Sequence, residues 1–135
     1  MPGYSGTPLI RKLGFDKPPM RIVVSNAPPE YFDWLGELPK DVEFTTRMSK
    51  SIHAAHFFID RKAELIERLN TMRTQLMPDG FVWISWPKKA SKVPTDITED
   101  TIREIALPLG FVDVKVCAVS EIWSGLKLVI RKELR

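Results

Sequence analysis

The sequence has 135 residues, of which 44% are hydrophobic and 27% are charged, and this fits one globular domain over residues 1–135 with a sizeable core. Its net charge of +3 is a poor basis for nucleic-acid binding, because strong electrostatic binders concentrate a larger excess on one face. No apolar stretch approaches the ~20 residues that span a bilayer and no signal-peptide pattern is present, so we expect a cytoplasmic location and no membrane partner.

Residues 1–19 carry a helix signature followed by a linker. Thr7 can cap a helix, Pro8 suits its first position, and Gly14 can adopt the left-handed conformation that ends it. Residues 20–135 are the predicted α/β core.

The first two predicted strands of this core, 21–25 and 42–46, are separated by a short helix. The apolar residues at 22–24 are continuous and do not alternate with polar ones, which is typical of a strand buried on both faces. The helix follows Asn-Ala-Pro-Pro at 26–29, and its apolar residues lie on one side: Tyr31, Trp34 and Leu35.

The connection to a third strand at 54–59 is short. The residues between Thr46 and Ala54 are too few for a crossover helix, which usually needs a dozen or more. Either an extended segment returns beneath the sheet, at ~3.3 Å per residue, or the two strands pair as a hairpin. We favour the extended return.

Asp60 is expected to cap the longest helix, 61–77. A Pro-Asp-Gly turn at 78–80 then leads into a fourth strand at 81–86. The apolar stripe of the helix consists of Leu65, Ile66, Leu69, Met72 and Leu76.

The remaining elements are a helix that opens after Asp96 or Thr98 and two strands at 111–119 and 126–130. The short connection between these strands indicates an antiparallel hairpin. Strands that alternate with helices indicate an α/β fold with a mainly parallel sheet and helices on both faces.

The best candidate site is the basic loop, residues 88–92, which follows the fourth strand. Ligands of α/β sheets usually lie beyond the carboxyl ends of strands. Lys88, Lys89 and Lys92 could meet a phosphate or carboxylate there, and Ser91 could add a hydroxyl group.

The alternative is that the basic loop is only solvated surface. Asp96, Glu99 and Asp100 follow closely and could pair with the lysines, which would contribute little to stability. Three lysines on single-stranded phosphate would give a log–log salt slope of only about −2. The loop therefore predicts an anionic small molecule or protein as partner, and at most weak binding of nucleic acid.

Three further residues extend this candidate site. Trp86 could stack on a base or nucleotide ring, and Ser85 and Asn26 could supply polar groups at strand ends. Core packing is the usual alternative for a tryptophan, and we expect it for Trp83, which points to the opposite face from Trp86. Trp123, near the hairpin tip, indicates a contact surface or packing under an adjoining loop.

The sequence predicts no metal centre and no catalytic motif. His53 and His56 are three residues apart on a strand and so point to opposite faces, which favours core histidines over metal ligands. Cys117 is the single cysteine, so no internal disulfide can form, and we expect it to be reduced and buried in its strand. Neither a nucleophile elbow nor a phosphate-binding glycine loop occurs.

The order of elements resembles a shortened class I S-adenosylmethionine methyltransferase domain, which is Rossmann-like, most clearly over residues 55–131. The segment 76–83 is similar to that family's Leu-x-Pro-Gly-Gly-x-Leu stretch, and the closing hairpin to its last two strands. Tyr-Ser-Gly-Thr-Pro-Leu at 4–9 together with Ser-Trp-Pro-Lys-Lys-Ala-Ser-Lys at 85–92 resembles a bacterial family of small proteins of unknown function, which implies no established activity.

The cofactor site of the methyltransferases does not match. That family seats the methionine moiety on a Gly-x-Gly-type turn, whereas residues 25–30 (Ser-Asn-Ala-Pro-Pro-Glu) contain no glycine and two prolines without N–H groups. The acidic residue that holds the ribose is also absent, since Thr45, Thr46 and Arg47 occupy the region. We therefore predict no cofactor and disfavour S-adenosylmethionine.

Together these residues favour a non-catalytic binding module for an anionic ligand or partner on a methyltransferase-like scaffold. One alternative is a divergent methyltransferase that seats its cofactor without the glycine turn. Another is an oligomer-forming structural protein that assembles through the hairpin edge and Trp123.

Overall fold

The computed structural model describes residues 8–49 and 51–135 of the chain. The strands are β1 (Met20–Ser25), β2 (Val42–Thr45), β3 (Ile52–Phe58), β4 (Leu76–Pro87), β5 (Phe111–Ala118) and β6 (Trp123–Ile130). The α-helices are α1 (Leu9–Lys12), α2 (Tyr31–Leu35), α3 (Lys62–Gln75) and α4 (Glu99–Leu109). Two short 3₁₀ turns cover Lys89–Ser91 and Lys132–Leu134.

The strands form one sheet in the order β2-β1-β3-β4-β6-β5. β2, β1, β3 and β4 run parallel, and β6 is antiparallel to both β4 and β5. The expected mainly parallel α/β sheet with a C-terminal antiparallel hairpin is therefore confirmed.

β2 and β3 do not form a hairpin. Each pairs in parallel with β1, on opposite sides of it. Between Thr45 and Ile52 the chain must therefore return from the carboxyl ends of the strands to their amino ends. This is the extended return that the shortness of the connection favoured.

Helices cover both faces of the sheet, as expected. On one face α3 and α4 bury Leu69 and Ile102 against Val82 and Ile84 of β4. On the other face α1 and α2 pack over a second cluster that includes Trp83. The indole Nε1 of Trp83 donates a hydrogen bond to the Leu13 carbonyl at 2.8 Å, which ties α1 to the centre of the sheet.

α1 starts one residue later than predicted. Pro8 precedes the helix as its N-cap residue and is not its first helical residue, and the expected cap Thr7 lies outside the described residues. Gly14 has a φ of 77° just after the helix, so the left-handed stop is confirmed.

The prediction that Asp60 caps the longest helix is wrong. α3 begins at Lys62, and the Lys62 amide donates to Oδ1 of Asp96 at 2.6 Å. The cap therefore comes from the segment that follows the basic loop, while the Asp60 carbonyl accepts a hydrogen bond from the Thr95 hydroxyl at 2.8 Å. A carboxylate satisfies the exposed amides of a helix N-terminus wherever it lies in the chain.

The predicted turn at 78–80 belongs instead to β4. The register between β3 and β4 jumps from the pair Ile52–Leu76 to the pair Ala54–Phe81, so β4 carries the extra residues as an irregularity within the strand. Gly80 suits this place, because a Cβ there would lie 2.7 Å from the His53 carbonyl oxygen.

The C-terminal elements follow the prediction closely. Thr98 caps α4, and its hydroxyl accepts a hydrogen bond from the Thr101 amide in a reciprocal capping box. Gly110 ends the helix with a φ of 102°. β6 starts at Trp123, three residues before the predicted strand. No helix in the described part of the chain is long and apolar enough to cross a membrane.

The C-terminal hairpin contains a pair of like charges. Lys115 of β5 lies directly opposite Lys127 of β6, whose ammonium sits 4.4 Å from the centre of the Phe81 ring. Burial lowers the pKa of Lys127, and the positive charges of Lys115 and Lys17 lower it further. Like charges directly opposite one another destabilise a sheet.

We expect Lys115→Glu to raise the free energy of unfolding by roughly 0.2–1 kcal/mol, because it turns cross-strand repulsion into attraction. Urea denaturation at low salt measures the change, and Lys115→Gln should give a smaller increase. In molar salt the gain should shrink, because charges are screened within about 3 Å. Equal stability of all three proteins at low salt would contradict the interpretation.

Candidate functional site

The basic loop leaves the sheet at the carboxyl end of β4, as predicted. The Lys88 amide donates to the Ile122 carbonyl at 2.7 Å, which fixes the start of the loop against the β5–β6 connection. Lys89 and Lys92 are exposed and Lys88 is half-buried. Lys92 adopts the left-handed conformation, with a φ of 61°.

The acidic residues that could have paired with these lysines are engaged elsewhere. Glu99 and Asp100 both form ion pairs with Arg103, at 2.5 and 3.2 Å, and Asp96 caps α3. Across residues 8–49 and 51–135, no carboxylate lies within ion-pair distance of the three lysines of the basic loop. The loop therefore presents its positive charge to solvent.

Arg103 also joins α4 to the hairpin. Its Nε donates to Oδ2 of Asp113 at 2.9 Å. Hydrogen bonds that Arg103 donates to Asp113 and Glu99 raise the pKa of Arg103, and the Arg103 guanidinium lowers the pKa of Asp113. This cluster holds the acids of α4 away from the basic loop.

Ser91 is engaged within the loop itself. Its hydroxyl donates to the Lys88 carbonyl at 2.6 Å, and the Val93 amide donates to the Ser91 hydroxyl at 3.3 Å. The side chain therefore shapes the loop that carries the lysines.

Trp86 and Ser85 do not reach the surface beside the lysines. Trp86 is 7% exposed and packs in the core cluster that contains Ile97 and Ile102, while Trp83 packs on the other face of the sheet as expected. Ser85 is fully buried. Position along a strand indicates which face a side chain takes, but it does not indicate how far the following loop and helix cover that face.

Ser85 belongs to a buried hydrogen-bonded chain that the sequence did not reveal. The Ser85 hydroxyl lies 2.7 Å from Nε2 of His56, and the Tyr31 hydroxyl lies 2.8 Å from Nδ1 of the same ring. Burial lowers the pKa of His56 to about 3 and raises the pKa of Tyr31. The imidazole is therefore neutral at pH 7, so one of its nitrogens donates a hydrogen bond and the other accepts one.

A polar residue inside a fully buried strand is the sequence signal for a buried hydrogen-bonded network of this kind. Buried polar groups are almost always hydrogen-bonded, so His56 and Ser85 in the apolar strands β3 and β4 each require a partner. The spacing of His53 and His56 indicated opposite faces, and His53 does act separately: its Nδ1 accepts a hydrogen bond from the Arg21 amide at 2.9 Å.

Asn26 bridges the crevice between the carboxyl ends of β1 and β3. Its amide Nδ2 donates to Oε2 of Glu64 at 2.8 Å, and its φ is 60°. Arg68 lies 3.7 Å from the same carboxylate and donates to the Ser25 hydroxyl at 3.0 Å. The helices that follow β1 and β3 lie on opposite faces, so this crevice is the usual ligand position in such a sheet.

A cavity of about 630 Å³ adjoins Asn26, between the carboxyl ends of β1 and β2. Phe32 and Phe44 form part of its wall and contact each other edge to face at 5.4 Å. The other lining residues are Val24, Asn26, Ala27, Thr45 and Thr46. Among the described residues that line the cavity, none is a carboxylate at the end of β2, where the sequence has Thr45 and Thr46.

Comparison with known proteins identifies a family but no activity. Residues 52–132 match the model of a family described as "Protein of unknown function (DUF3052)". No curated protein matches the chain in sequence.

Several solved structures that resemble the chain are methyltransferases. A SAM-dependent methyltransferase from Aquifex aeolicus gives a TM-score of 0.62 at 12% identity, covering 90% of this chain and 87% of that one. The magnesium protoporphyrin IX methyltransferase of Synechocystis PCC 6803, solved with bound SAM, gives 0.58 at 10% identity, covering 90% and 74%. The ribosomal protein L11 methylase of Lactobacillus delbrueckii gives 0.56 at 11% identity, with the same coverage. These similarities show that the chain has a Rossmann-like fold similar to that of these methyltransferases.

We expect the stability of the protein to fall as the pH decreases from 7 to 5, because of His56. Its folded pKa of about 3 lies below the unfolded value near 6.5, so in this range the unfolded chain binds a proton that the native protein does not. The free energy of unfolding should fall by up to about 1.4 kcal/mol per pH unit. Denaturant titrations at several pH values measure the slope.

His56→Gln should flatten this pH dependence, and His53→Gln is the matched control that should keep it. Work above pH 5 avoids most carboxylate titration. An unchanged slope in folded His56→Gln protein would show that another group is responsible.

Proposed function

The chain belongs to this DUF3052 family, and we propose that it binds an anionic ligand or partner, without catalysis, through Lys88, Lys89 and Lys92. The observation that carries the proposal is that these lysines lack a carboxylate partner among the described residues, although three acids follow them closely in sequence. Unpaired ammonium groups at the carboxyl edge of an α/β sheet suit a phosphate or carboxylate. The proposal includes a single cytoplasmic domain and at most weak binding of nucleic acid.

The site of this proposal is smaller than the sequence alone indicated. Ser91 supports the loop, Ser85 and Trp86 are buried, and Asn26 is bonded to Glu64. The lysines would therefore supply the charge, and the bond from the Lys88 amide to Ile122 would hold the loop in place.

A probe with phosphate chemistry tests the proposal: inorganic tripolyphosphate, titrated by calorimetry. We expect the double variant Lys88→Glu with Lys89→Glu to weaken binding about tenfold or more, since each charge-assisted hydrogen bond contributes about 1.5–3 kcal/mol. The matched control reverses two exposed lysines at the amino edge of the sheet, Lys17→Glu with Lys40→Glu. Its affinity should stay near that of the unmodified protein.

Two results would overturn this proposal. Equal weakening by the control variant would mean that net charge alone is responsible. Unchanged binding in the Lys88→Glu, Lys89→Glu variant would place the anion elsewhere. A titration with a polyglutamate peptide applies the same comparison to carboxylates.

The second candidate is a divergent methyltransferase, and the cavity of about 630 Å³ beside β1 and β2 favours it. The residues around that cavity fit the methyl donor poorly. The turn after β1 offers prolines in place of glycines, and the crevice beside it holds the hydrogen bond between Asn26 and Glu64. Fold similarity does not by itself carry function, so we rank this candidate below anion binding.

Calorimetric titration with S-adenosylhomocysteine separates the two candidates. We expect no saturable binding by protein whose fold is verified by circular dichroism, because both recognition elements of the methyltransferases are replaced. Saturable micromolar binding would favour the methyltransferase and direct the search to a methyl acceptor.

A further inference from the structure

A second cavity, of about 340 Å³, lies between the turn that enters α2 and the β5–β6 connection. It does not include the lysines of the basic loop. We call it the tryptophan cavity, and it is lined by Pro28, Pro29, Glu30, Trp34, Ser120, Glu121, Ile122 and Trp123. Its volume is at the lower end of the range for small-molecule sites.

The two tryptophan rings of this cavity are held in position from behind. Trp34 packs edge to face on Tyr31 at 6.5 Å, and Trp123 packs edge to face on Phe58 at 5.1 Å. Tyr31 is itself fixed by its hydrogen bond to the buried His56. The two aromatic walls are therefore braced by the core.

The connection that carries Trp123 is also ordered by hydrogen bonds. The hydroxyl of Ser120 accepts from the amides of Ile122 and Trp123, at 3.2 and 3.1 Å. The amides of Val119 and Ser120 both donate to the Trp123 carbonyl. A rigid wall of this kind reduces the entropy cost of binding.

The charge of the tryptophan cavity is negative. Glu30 and Glu121 are exposed on opposite walls, and within the described ranges neither forms an ion pair. Tryptophan faces attract cations more strongly than other aromatic faces, and a carboxylate adds to that attraction. An anionic ligand would meet unfavourable charge here.

From these features we propose that the tryptophan cavity binds a small quaternary or tertiary ammonium compound. The alkyl groups would contact Trp34, Trp123 and the prolines, and the positive charge would face Glu30 and Glu121. This site is separate from the anion site proposed for the basic loop, and it takes the opposite charge.

Choline is the probe, and its neutral isostere 3,3-dimethylbutan-1-ol is the matched control ligand. Trp83 and Trp86 are buried in the core, so a change in tryptophan fluorescence on adding choline would come mainly from Trp34 and Trp123, and calorimetry gives the affinity. We expect choline to bind saturably, and the alcohol to bind about tenfold more weakly, the ratio expected of one partly desolvated cation–π contact.

Variants then test the residues of the cavity. Glu30→Gln with Glu121→Gln should weaken choline binding and leave binding of the alcohol unchanged, and Trp123→Leu should weaken both. The control is Glu67→Gln with Glu104→Gln, which removes two exposed carboxylates on α3 and α4 and should have no effect. The variant Lys88→Glu with Lys89→Glu should still bind choline, which keeps this site distinct from the basic loop.

Several results would overturn the proposal. Equal affinity for choline and the alcohol would show that the cavity recognises the alkyl groups and not the positive charge. If choline binding did not saturate in folded protein, the cavity would not be a choline site. If the Glu67→Gln, Glu104→Gln control lost as much affinity as the Glu30→Gln, Glu121→Gln variant, the carboxylates of the cavity would not be responsible for binding. If a mass measurement showed that Trp123→Leu converts a dimer to a monomer without choline binding in either form, the tryptophans would instead contact a second copy of the chain.

Discussion

The buried imidazole of His56 is the constraint on which much of this molecule depends. A ring nitrogen in a dry core must be paired, and Tyr31 of α2 and Ser85 of β4 pair the two nitrogens of this ring. α2 has only five residues, too few to be stable on its own, so its position over the sheet depends on such contacts. That position sets both the proline turn before α2 and the ring of Trp34 within it.

The carboxyl edge of the sheet differs from the scaffold that it resembles. At the crevice between β1 and β3, polar side chains of α3 reach across to the end of β1, where Glu64 bonds to Asn26 and Arg68 to Ser25. These partly exposed contacts contribute little energy individually. Their consequence is geometric, because they place a carboxylate and a guanidinium where a glycine turn would leave the backbone open. A shared fold with altered residues at this position is weak evidence for a shared reaction.

The sequence predicted what depends on local pattern and missed what depends on distant partners. Continuous apolar runs predicted the buried parallel strands, and the start of α4 was expected after Asp96 or Thr98, of which Thr98 is the cap. The cap of α3 was assigned to Asp60, because the true partner, Asp96, lies 34 residues from Lys62. The burial of Trp86 was missed in the same way, since it packs with Ile97 beyond the basic loop. The sequence pattern indicates which face of the sheet a side chain takes, whereas tertiary packing determines whether that side chain is exposed.

The charges at the carboxyl edge can change without loss of the fold. The basic loop and the tryptophan cavity adjoin, since the Lys88 amide bonds to the carbonyl of Ile122, which lines the cavity. Yet among the described residues the lysines and Glu121 remain unpaired. An exposed ion pair contributes only about 0–1 kcal/mol, so the lack of pairing costs the fold little. The apolar clusters on the two faces of the sheet hold the fold together, and the exposed charges therefore remain available for ligands of either sign.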